Sequence, residues 1–254
     1  MKIVTKKSLG QNFIFDKNLL NKISEQIDSD FYNSIIEIGP GLGTLTNYLI
    51  KKKFKKLILL EKDFRLIDNL KKRFSNPKTD IVNIDALKFQ YQELTLNESI
   101  IVGNLPFNIS VEILYLLTKT KNWPPKQIKM VLMFQKEVAN RIIASTNSKS
   151  YGKLSIVVQS RYKVKKIFDI PASVFKPVPK VDASILEFIP FNDFGSIDIN
   201  KIDEVAKMAF SHRRKKIKNN MSIYLNIIEK LLINADLRPE NLSVLDYCNI
   251  AKNI

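Results

Sequence analysis

The stretch "IIEIGPGLGTLT" (residues 35–46) joins a short apolar run to a glycine-rich turn, and this junction is the main indicator of the fold. The run "IIEIG" (35–39) predicts a buried strand, and "PGLGTLTNYLIKKK" (40–53) predicts the start of a helix. The chain has seven glycines, of which three are Gly39, Gly41 and Gly43. In such a turn, glycines allow a ligand to approach the helix N-terminus. The pattern therefore predicts a binding turn, with a plain strand-to-helix turn as the alternative.

Outward from this turn, apolar strand-like runs alternate with helical patterns. Further strands are predicted at 56–63, 80–89, 99–107 and 128–135, and helices at 63–74, 110–120 and 136–145. Five strands separated by helices predict a doubly wound parallel sheet of the α/β class. Two more strand-like runs lie at 155–171 and 181–190. The segment 172–180 between them contains two prolines spaced by one residue, which excludes a helix there.

The character of the sequence changes after Pro190. "DFGSIDIN" (193–200) resembles a linker, and helical patterns follow at about 200–211, 213–234 and 241–252. We therefore predict two domains: residues 1–190 form the sheet-containing domain, and residues 191–254 form a small helical domain.

The composition bounds the chemistry. The chain of 254 residues is 45% hydrophobic and carries a net charge of +16, which favours a polyanionic partner such as nucleic acid. Solubility or a lysine-rich composition is the alternative explanation. Cys248 is the only cysteine and His212 the only histidine, so a Cys/His metal cluster is excluded and no metal is expected. We see neither a secretory signal nor a membrane span, and expect a cytoplasmic protein.

Two carboxylates lie at the ends of the second and third predicted strands. Glu61 comes 22 residues after Gly39, where a carboxylate can accept hydrogen bonds from both ribose hydroxyls. Asp85 is placed to accept from an adenine amino group. Each alone is more often a solvated strand end, but together above a glycine turn they predict a nucleoside pocket at the carboxyl ends of the strands.

The fourth strand ends in Asn104-Leu105-Pro106-Phe107, beside the same pocket. An exocyclic base amine is a poor nucleophile, because its lone pair is delocalised into the ring. We expect the Asn104 side-chain oxygen and the Leu105 carbonyl to hold such an amine, Pro106 to stiffen the turn, and Phe107 to stack on a flipped base. A proline-terminated strand with a packed phenylalanine is the alternative.

At these residues the chain resembles the rRNA adenine dimethyltransferases. The shared motifs are "QNFIFD" (11–16), "EIGPGLGTLT" (37–46), "LEKD" (60–63), "NIDALKF" (83–89), "GNLPFNIS" (103–110), "FKPVPKVDASI" (175–185), "AFSHRRKKIKNN" (209–220) and "LRPENLSVLDYCNIA" (237–251). The resemblance covers about residues 6–252 and is greatest to the small-subunit branch. It implies a Rossmann-like class I methyltransferase fold with a seven-stranded, mostly parallel sheet. It also implies that S-adenosylmethionine donates the methyl groups and leaves as S-adenosylhomocysteine.

The resemblance further implies that two adjacent adenosines in the 3′-terminal hairpin loop of small-subunit rRNA are dimethylated on N6. The partner is then the rRNA of the assembling 30S particle, and a monomer is expected. Asn12 and Ile14 would close over the methionine end of the cofactor, beside Gln11, while Phe107 and Phe175 would sandwich the target adenine. The remaining implied contacts are Gly39 and Gly41 with the amino-acid part of the cofactor, Glu61 with the ribose, Asp85 and Ala86 with the adenine, and Asn104 with both substrates.

Arg213, Arg214, Lys215 and Lys216 form the basic run that we expect to contact RNA phosphates. Phe107 stands where the family usually has Tyr, and Ile14 where it usually has Leu. The reaction needs no cysteine and no general base, because in-line attack of the amine depends mainly on positioning. Three alternatives stay open: a large-subunit rRNA methyltransferase of the macrolide-resistance type, a non-catalytic ribosome-assembly or RNA-binding factor, and, less favoured by the glycine spacing, a nicotinamide oxidoreductase.

Overall fold

The computed structural model describes residues 10–27, 33–91, 98–120, 123–125, 127–194 and 197–254. Within these residues the strands are β1 (Phe13–Ile14), β2 (Ser34–Ile38), β3 (Lys56–Glu61), β4 (Thr79–Asn83), β5 (Ser99–Gly103), β6 (Gln127–Gln135), β7 (Tyr162–Ile170), β8 (Phe175–Lys176) and β9 (Ala183–Pro190). The α-helices are α1 (Lys17–Glu25), α2 (Thr46–Leu49), α3 (Phe64–Phe74), α4 (Ser110–Thr118), α5 (Lys136–Ile142), α6 (Lys153–Gln159), α7 (Ile199–Ala209), α8 (Ile217–Asn220), α9 (Leu225–Lys230) and α10 (Val244–Lys252).

Seven strands form one mixed sheet in the order β4-β3-β2-β5-β6-β9-β7. The neighbours from β4 to β6 are parallel, and β9 runs antiparallel to β6. The strand order reverses beside β2, since β3 lies on one side of it and β5 on the other. Ligands of open α/β sheets bind at such a reversal, outside the carboxyl ends of the strands. The predicted class I methyltransferase fold, with its seven-stranded and mostly parallel sheet, is confirmed.

The central strands β2 and β5 are buried along their whole length, which explains their nearly continuous apolar sequences. A separate two-stranded antiparallel pairing joins β1 to β8, with Ile14 opposite Phe175. This pairing brings the start of the described chain to the proline-rich segment that follows β7.

The chain divides into two compact units of discontinuous segments. Their described residues fall within Met1–Leu117, Pro125–Ala139 and Lys165–Ile189 for the first unit, and within Thr118–Pro124, Asn140–Val164 and Pro190–Ile254 for the second. The predicted division into 1–190 and 191–254 places Thr118–Pro124 and Asn140–Val164 in the first domain, whereas the structure groups their described residues with the second unit. The domain boundary stays a prediction. Of the proposed linker, residues 195–196 lie outside the described residues.

Two predicted elements were wrong. The strand predicted at 155–171 begins only at Tyr162, because Lys153–Gln159 form α6. Four consecutive residues, 155–158, are buried in this helix, and a short buried apolar run does not distinguish a helix from a strand. In 172–180, Ala172–Val174 form a 3₁₀ turn ahead of the prolines, so the exclusion of a helix is correct only from Phe175 onward.

The single helix predicted over 213–234 is also wrong, since α8, a 3₁₀ turn and α9 share the segment. The backbone N–H groups of Ile217 and Lys218 donate to the carbonyls of Leu237 and Ala235. The Asn220 side chain donates to two preceding carbonyls. These bonds compete with continuation of a helix.

No helix among the described residues is both long enough and apolar enough to cross a lipid bilayer.

We expect Gly43→Ala to lower the free energy of unfolding by about 2 kcal/mol or more. Gly43 has φ +71°, and an added Cβ would lie 2.4 Å from Cε2 of the buried Phe74 ring. Gly152→Ala is the matched control, because Gly152 is extended and an added Cβ would come no closer than 3.9 Å to the Phe210 ring. Urea denaturation of both variants checks this. Equal losses of stability would contradict the proposed constraint.

Candidate active site

A cleft opens at the carboxyl ends of the parallel strands. It encloses about 810 Å³, including space that is open to solvent. It is lined by Gly10, Gln11, Asn12, Phe13, Ile38, Gly39, Gly41, Leu60, Glu61, Lys62, Ile84, Asp85, Ala86, Asn104, Pro106, Asn108, Ile109 and Ile113. The structure therefore brings together seven of the eight predicted cofactor-binding residues.

The glycine turn presents backbone to this cleft. Gly39 has φ +69°, and an added Cβ would meet only the Asn104 carbonyl oxygen, at 3.8 Å. The Gly41 N–H donates to Oε2 of Glu61 over 2.9 Å. The turn thus leaves room for a ligand while its backbone orients an acidic side chain.

Glu61 ends β3, as predicted, and is only 6% exposed. Its Oε1 accepts a hydrogen bond from the Asp63 N–H over 2.7 Å. Burial raises the pKa of this carboxyl above its usual value, while the N–H groups of Asp63 and Gly41 oppose that rise. Each carboxylate oxygen has a second lone pair, so the group can still accept hydrogen bonds from a ligand in the cleft.

Asp85 follows the end of β4 and lies beside Ala86 in the wall of the cleft. Its Oδ2 is 2.7 Å from Nζ of Lys62, and its Oδ1 accepts from the Leu87 N–H. The hydrogen bond from Lys62 lowers the pKa of the Asp85 carboxyl. Asp85 is therefore a fixed, ionised acceptor at the edge of the cleft.

Asn104 follows the end of β5 with a defined orientation of its amide. Its Nδ2 donates to the carbonyl oxygen of Asn12 over 2.8 Å. Its Oδ1 accepts no hydrogen bond from any described residue, which leaves this oxygen available as an acceptor at the cleft.

The residues after Asn104 form a tight turn. The carbonyl of Pro106 accepts from the Ile109 N–H, and that of Phe107 accepts from the Ser110 hydroxyl. The carbonyl of Leu105 has no such partner within the described part of the chain. Leu105 itself is buried, so its predicted role as a second acceptor for the amine stays a prediction.

Phe107 and Phe175 are neighbours, but they do not form a base sandwich. Their ring centroids are 6.2 Å apart and the planes meet at 69°, an edge-to-face contact. Phe175 is 0% exposed, because β8 pairs it opposite Ile14 within the core. Two rings that sandwich a base must be roughly parallel with a gap between them. The predicted sandwich is therefore not present in this arrangement and would need the two rings to separate.

Ile14 is the predicted cofactor residue that does not line the large cleft. It is 3% exposed and faces a smaller adjoining cavity, so its contact with a cofactor stays a prediction. That cavity is also lined by Glu37, which is 2% exposed and accepts a hydrogen bond from the Thr46 hydroxyl over 2.6 Å. Burial raises the pKa of Glu37 to about 8, so this carboxyl is mainly protonated at neutral pH.

Sequence reasoning missed two charged residues at this site, Lys62 and Asp63. Lys62 pairs with Asp85, and Asp63 accepts from both Gln11 and Arg65. The signal for Asp63 was an acidic residue directly before a helical pattern, which is typical of an N-cap. The sequence does not indicate that Asp63 contacts Gln11, because the two residues are 52 positions apart and meet only in the folded chain.

The four residues of the basic run differ in whether they are ion-paired with carboxylates of the second unit. Arg213 Nε donates to Oε2 of Glu240 over 2.6 Å, and Lys216 Nζ lies 2.9 Å from Oδ1 of Asp236. Lys218 and Lys216 hold the pKa of Asp236 at about 2. Arg214 and Lys215 are exposed and have no ion-pair partner among the described residues. Two of the four predicted RNA contacts thus already bind carboxylates of the protein.

Among the described residues, no group of three or more His, Cys, Asp or Glu side chains is arranged to hold a metal ion.

The sheet order, the glycine turn and the strand-end carboxylates together define a class I methyltransferase fold. Two solved structures agree with it. A dimethyladenosine transferase from Plasmodium falciparum superposes with a TM-score of 0.80 at 24% identity, covering 95% of this chain and 96% of that one. The 23S rRNA methyltransferase ErmE gives a TM-score of 0.71 at 18% identity, covering 95% and 98%.

The family follows from sequence comparison. The model of the family described as "Ribosomal RNA adenine dimethylase" matches residues 3–254. Two proteins named "Ribosomal RNA small subunit methyltransferase A" are each 41% identical to the chain. The one from Buchnera aphidicola subsp. Baizongia pistaciae (strain Bp) covers 98% of this chain and 96% of its own length, and that from Pelagibacter ubique (strain HTCC1062) covers 99% and 97%. The chain belongs to the ribosomal RNA adenine dimethylase family, which confirms the resemblance seen in its motifs.

We expect Glu37→Gln to reduce the pH dependence of stability. Between the usual carboxyl pKa of 4.5 and about 8, the folded protein keeps the Glu37 proton that the unfolded chain loses. Stability from this group therefore falls as pH rises, by up to about 1.4 kcal/mol per pH unit. The amide removes this slope while still accepting from Thr46. Urea denaturation at pH 5.5, 6.5 and 7.5 measures it, and parallel curves for both proteins would refute the protonated state.

Proposed function

We propose that the chain is an S-adenosylmethionine-dependent rRNA adenine N6-dimethyltransferase. Its substrates are two adjacent adenosines in the 3′-terminal hairpin loop of small-subunit rRNA, within the assembling 30S particle. The observation that carries this proposal is Asn104, whose amide nitrogen is held by Asn12 while its oxygen stays available at the cleft. The printed names of the relatives, which span nearly the whole chain, support the small-subunit substrate.

The residues of the cleft fit S-adenosylmethionine, which the fold and the family imply. Gly39 offers a backbone position with open space where a Cβ would stand, and the buried Glu61 offers carboxylate lone pairs suited to ribose hydroxyls. Asp85 and Ala86 would lie at the adenine, and Asn12 at the methionine end. When bound, the cofactor supplies an electrophilic methyl group on a sulfonium.

The acceptor side of the reaction depends on hydrogen bonding. In this proposal the Asn104 Oδ1 and the Leu105 carbonyl each accept one hydrogen of the adenine N6 amine. These two hydrogen bonds orient the amine so that the nitrogen lone pair is exposed to the methyl group instead of being delocalised into the ring, and the nitrogen releases a proton to solvent after the bond to the methyl carbon has formed. Pro106 stiffens the turn that sets this geometry. Orientation and proximity then provide most of the catalysis, so no general base is required.

The target base needs an aromatic surface. Phe107 is half-buried and packs against the hydrophobic core beside Pro106, which lines the cleft, and we propose that Phe107 stacks on the flipped adenine. Because Phe175 meets Phe107 edge to face, a second stacking surface requires the segment around β8 to shift when RNA binds.

We propose that basic side chains of the second unit bind the phosphates of the RNA. Arg214 and Lys215 are the members of the basic run that remain available to phosphates, whereas Arg213 and Lys216 are engaged by Glu240 and Asp236. We extend the proposal to a monomer that acts in the cytoplasm. A non-catalytic role in ribosome assembly can coexist with the reaction, and the first experiment below separates the two.

Loss of this gene should leave both adenosines unmethylated, because the proposal makes this chain the enzyme that methylates them. Mass spectrometry of small-subunit rRNA from a deletion strain measures this. Complementation with the wild-type gene should restore dimethylation, whereas Asn104→Ala should not, since it removes the acceptor oxygen. Dimethylated adenosines in the deletion strain would overturn the assignment.

Asn104→Ala should still bind RNA and S-adenosylhomocysteine, the latter within about tenfold of wild type, since only one cofactor contact is lost. Restored subunit assembly without methylation would identify a separate assembly role.

We expect the double variant Arg214→Ala/Lys215→Ala to weaken binding of an RNA hairpin that carries the loop adenosines. If both side chains contact phosphates, the slope of log affinity against log salt concentration becomes shallower by about 1.5–2. Filter binding from 50 to 300 mM salt measures the slope. Lys207→Ala/Lys230→Ala removes two exposed charges from the same unit and is the control. Equal slopes for the two double variants would exclude a specific role for Arg214 and Lys215.

A further inference from the structure

Side-chain hydrogen bonds with distant residues join the start of the described chain to the rest of the cleft, and one of them is made by Gln11. Gln11 Nε2 donates to Oδ2 of Asp63 over 2.9 Å, across 52 positions of sequence. Gly10, Gln11, Asn12 and Phe13 all line the cleft, so this bond holds part of its wall in place. We call residues 10–14 the N-terminal strap.

Asp63 is built into the other side of the same network. It is 3% exposed, and Nε and Nη2 of Arg65 donate to its two carboxylate oxygens over 2.8 and 2.6 Å. The hydrogen bond from Arg65 lowers the pKa of Asp63 to about 2, so the carboxylate is ionised at neutral pH. Its backbone N–H donates to Oε1 of Glu61.

The strap also contacts Asn104, the residue proposed to hold the adenine amine. The Asn12 carbonyl, one residue after Gln11, accepts the hydrogen bond that orients the Asn104 amide. Phe13 and Ile14 pair with β8, and an added Cβ at Gly41 would lie 2.7 Å from the Phe13 ring. A chain of contacts therefore runs from Glu61 through Asp63, Gln11 and Asn12 to Asn104.

We propose that Asp63 is a positioning residue, and that its hydrogen bond with Gln11 latches the strap over the cofactor and thereby orients Asn104. The proposal rests on the function proposed above and joins two residues whose motifs lie far apart in the sequence. Asp63 would contact no substrate. It acts through its N–H on Glu61 and through its carboxylate on Gln11.

The latch predicts a specific kinetic pattern. Releasing the strap removes one wall of the cofactor site, so the affinity for S-adenosylmethionine should fall. It also frees the Asn12 carbonyl from its position, so kcat should fall together with a rise in KM for the cofactor. A residue that only stabilised the fold would lower the melting temperature without moving these two constants together.

The test reverses donor and acceptor. Gln11→Glu places two carboxylates against each other, and we expect S-adenosylhomocysteine to bind about 10- to 100-fold more weakly at pH 7.5, the cost of one hydrogen bond to a charged group. Asp63→Asn should also weaken binding. The double variant Gln11→Glu/Asp63→Asn restores an N–H donor facing a carboxylate and keeps a negative charge near Arg65. It should recover affinity to within about threefold of wild type.

Titration calorimetry with S-adenosylhomocysteine, and steady-state kinetics with unmethylated small ribosomal subunits, supply the measurements. Gln26→Glu is the matched control, because the Gln26 side chain donates to the Lys22 carbonyl and Gln26 does not line the cleft. It should bind as wild type does.

The latch is wrong if Gln11→Glu binds S-adenosylhomocysteine like wild type, or if a folded double variant shows no recovery. Should the double variant unfold, hydrogen exchange of the wild type decides: the ligand must slow exchange at residues 11–14 and at Asp63 together. A wild type that binds no S-adenosylhomocysteine refutes the proposed function as well. Normal wild-type binding with an unaffected Gln11→Glu variant refutes the latch alone.

Discussion

The carboxylate of Glu61 links the two features from which the site is built. One oxygen accepts from the N–H of Gly41 in the glycine turn, and the other accepts from the N–H of Asp63 at the start of α3. A buried carboxylate is costly unless such donors compensate it. Glu61 thus orders the turn after β2 and the turn after β3 at the same time, and both turns border the cleft.

After β5, the polar side chain at the cleft is the neutral amide of Asn104, whereas Glu61 at the end of β3 is a carboxyl group. Asn104 donates to a backbone carbonyl and keeps its oxygen for a ligand, an arrangement available to an amide but not to a carboxylate, which has no donor. The neighbouring Glu37 is mainly neutral at physiological pH because it is buried in an apolar cavity. The acidic acceptors of the cleft lie elsewhere: Glu61 ends β3 and Asp85 follows β4, whereas Asn104 follows β5.

Sequence and structure disagree where the outcome depends on what a side chain meets in three dimensions. Phe175 was expected to face a base, yet the pairing of β8 with β1 buries it completely. Arg213 and Lys216 were expected to face RNA, yet Glu240 and Asp236, more than 19 positions away in sequence, bind them. The strand predicted across 155–161 is a buried helix, because an apolar run satisfies either structure until its neighbours are known.

The α/β class, the position of the cleft and most of its lining residues were predictable from the amino-acid sequence. Strand ends, glycines at positive φ and a proline-terminated strand are local features, and local chemistry limits what they can form. The folded chain was needed to show which acidic and basic groups remain available, how the Asn104 amide is oriented, and that Asp63 accepts a hydrogen bond from Gln11. Those outcomes depend on contacts between residues far apart in the chain, and a single sequence carries no periodicity or spacing that records such pairs.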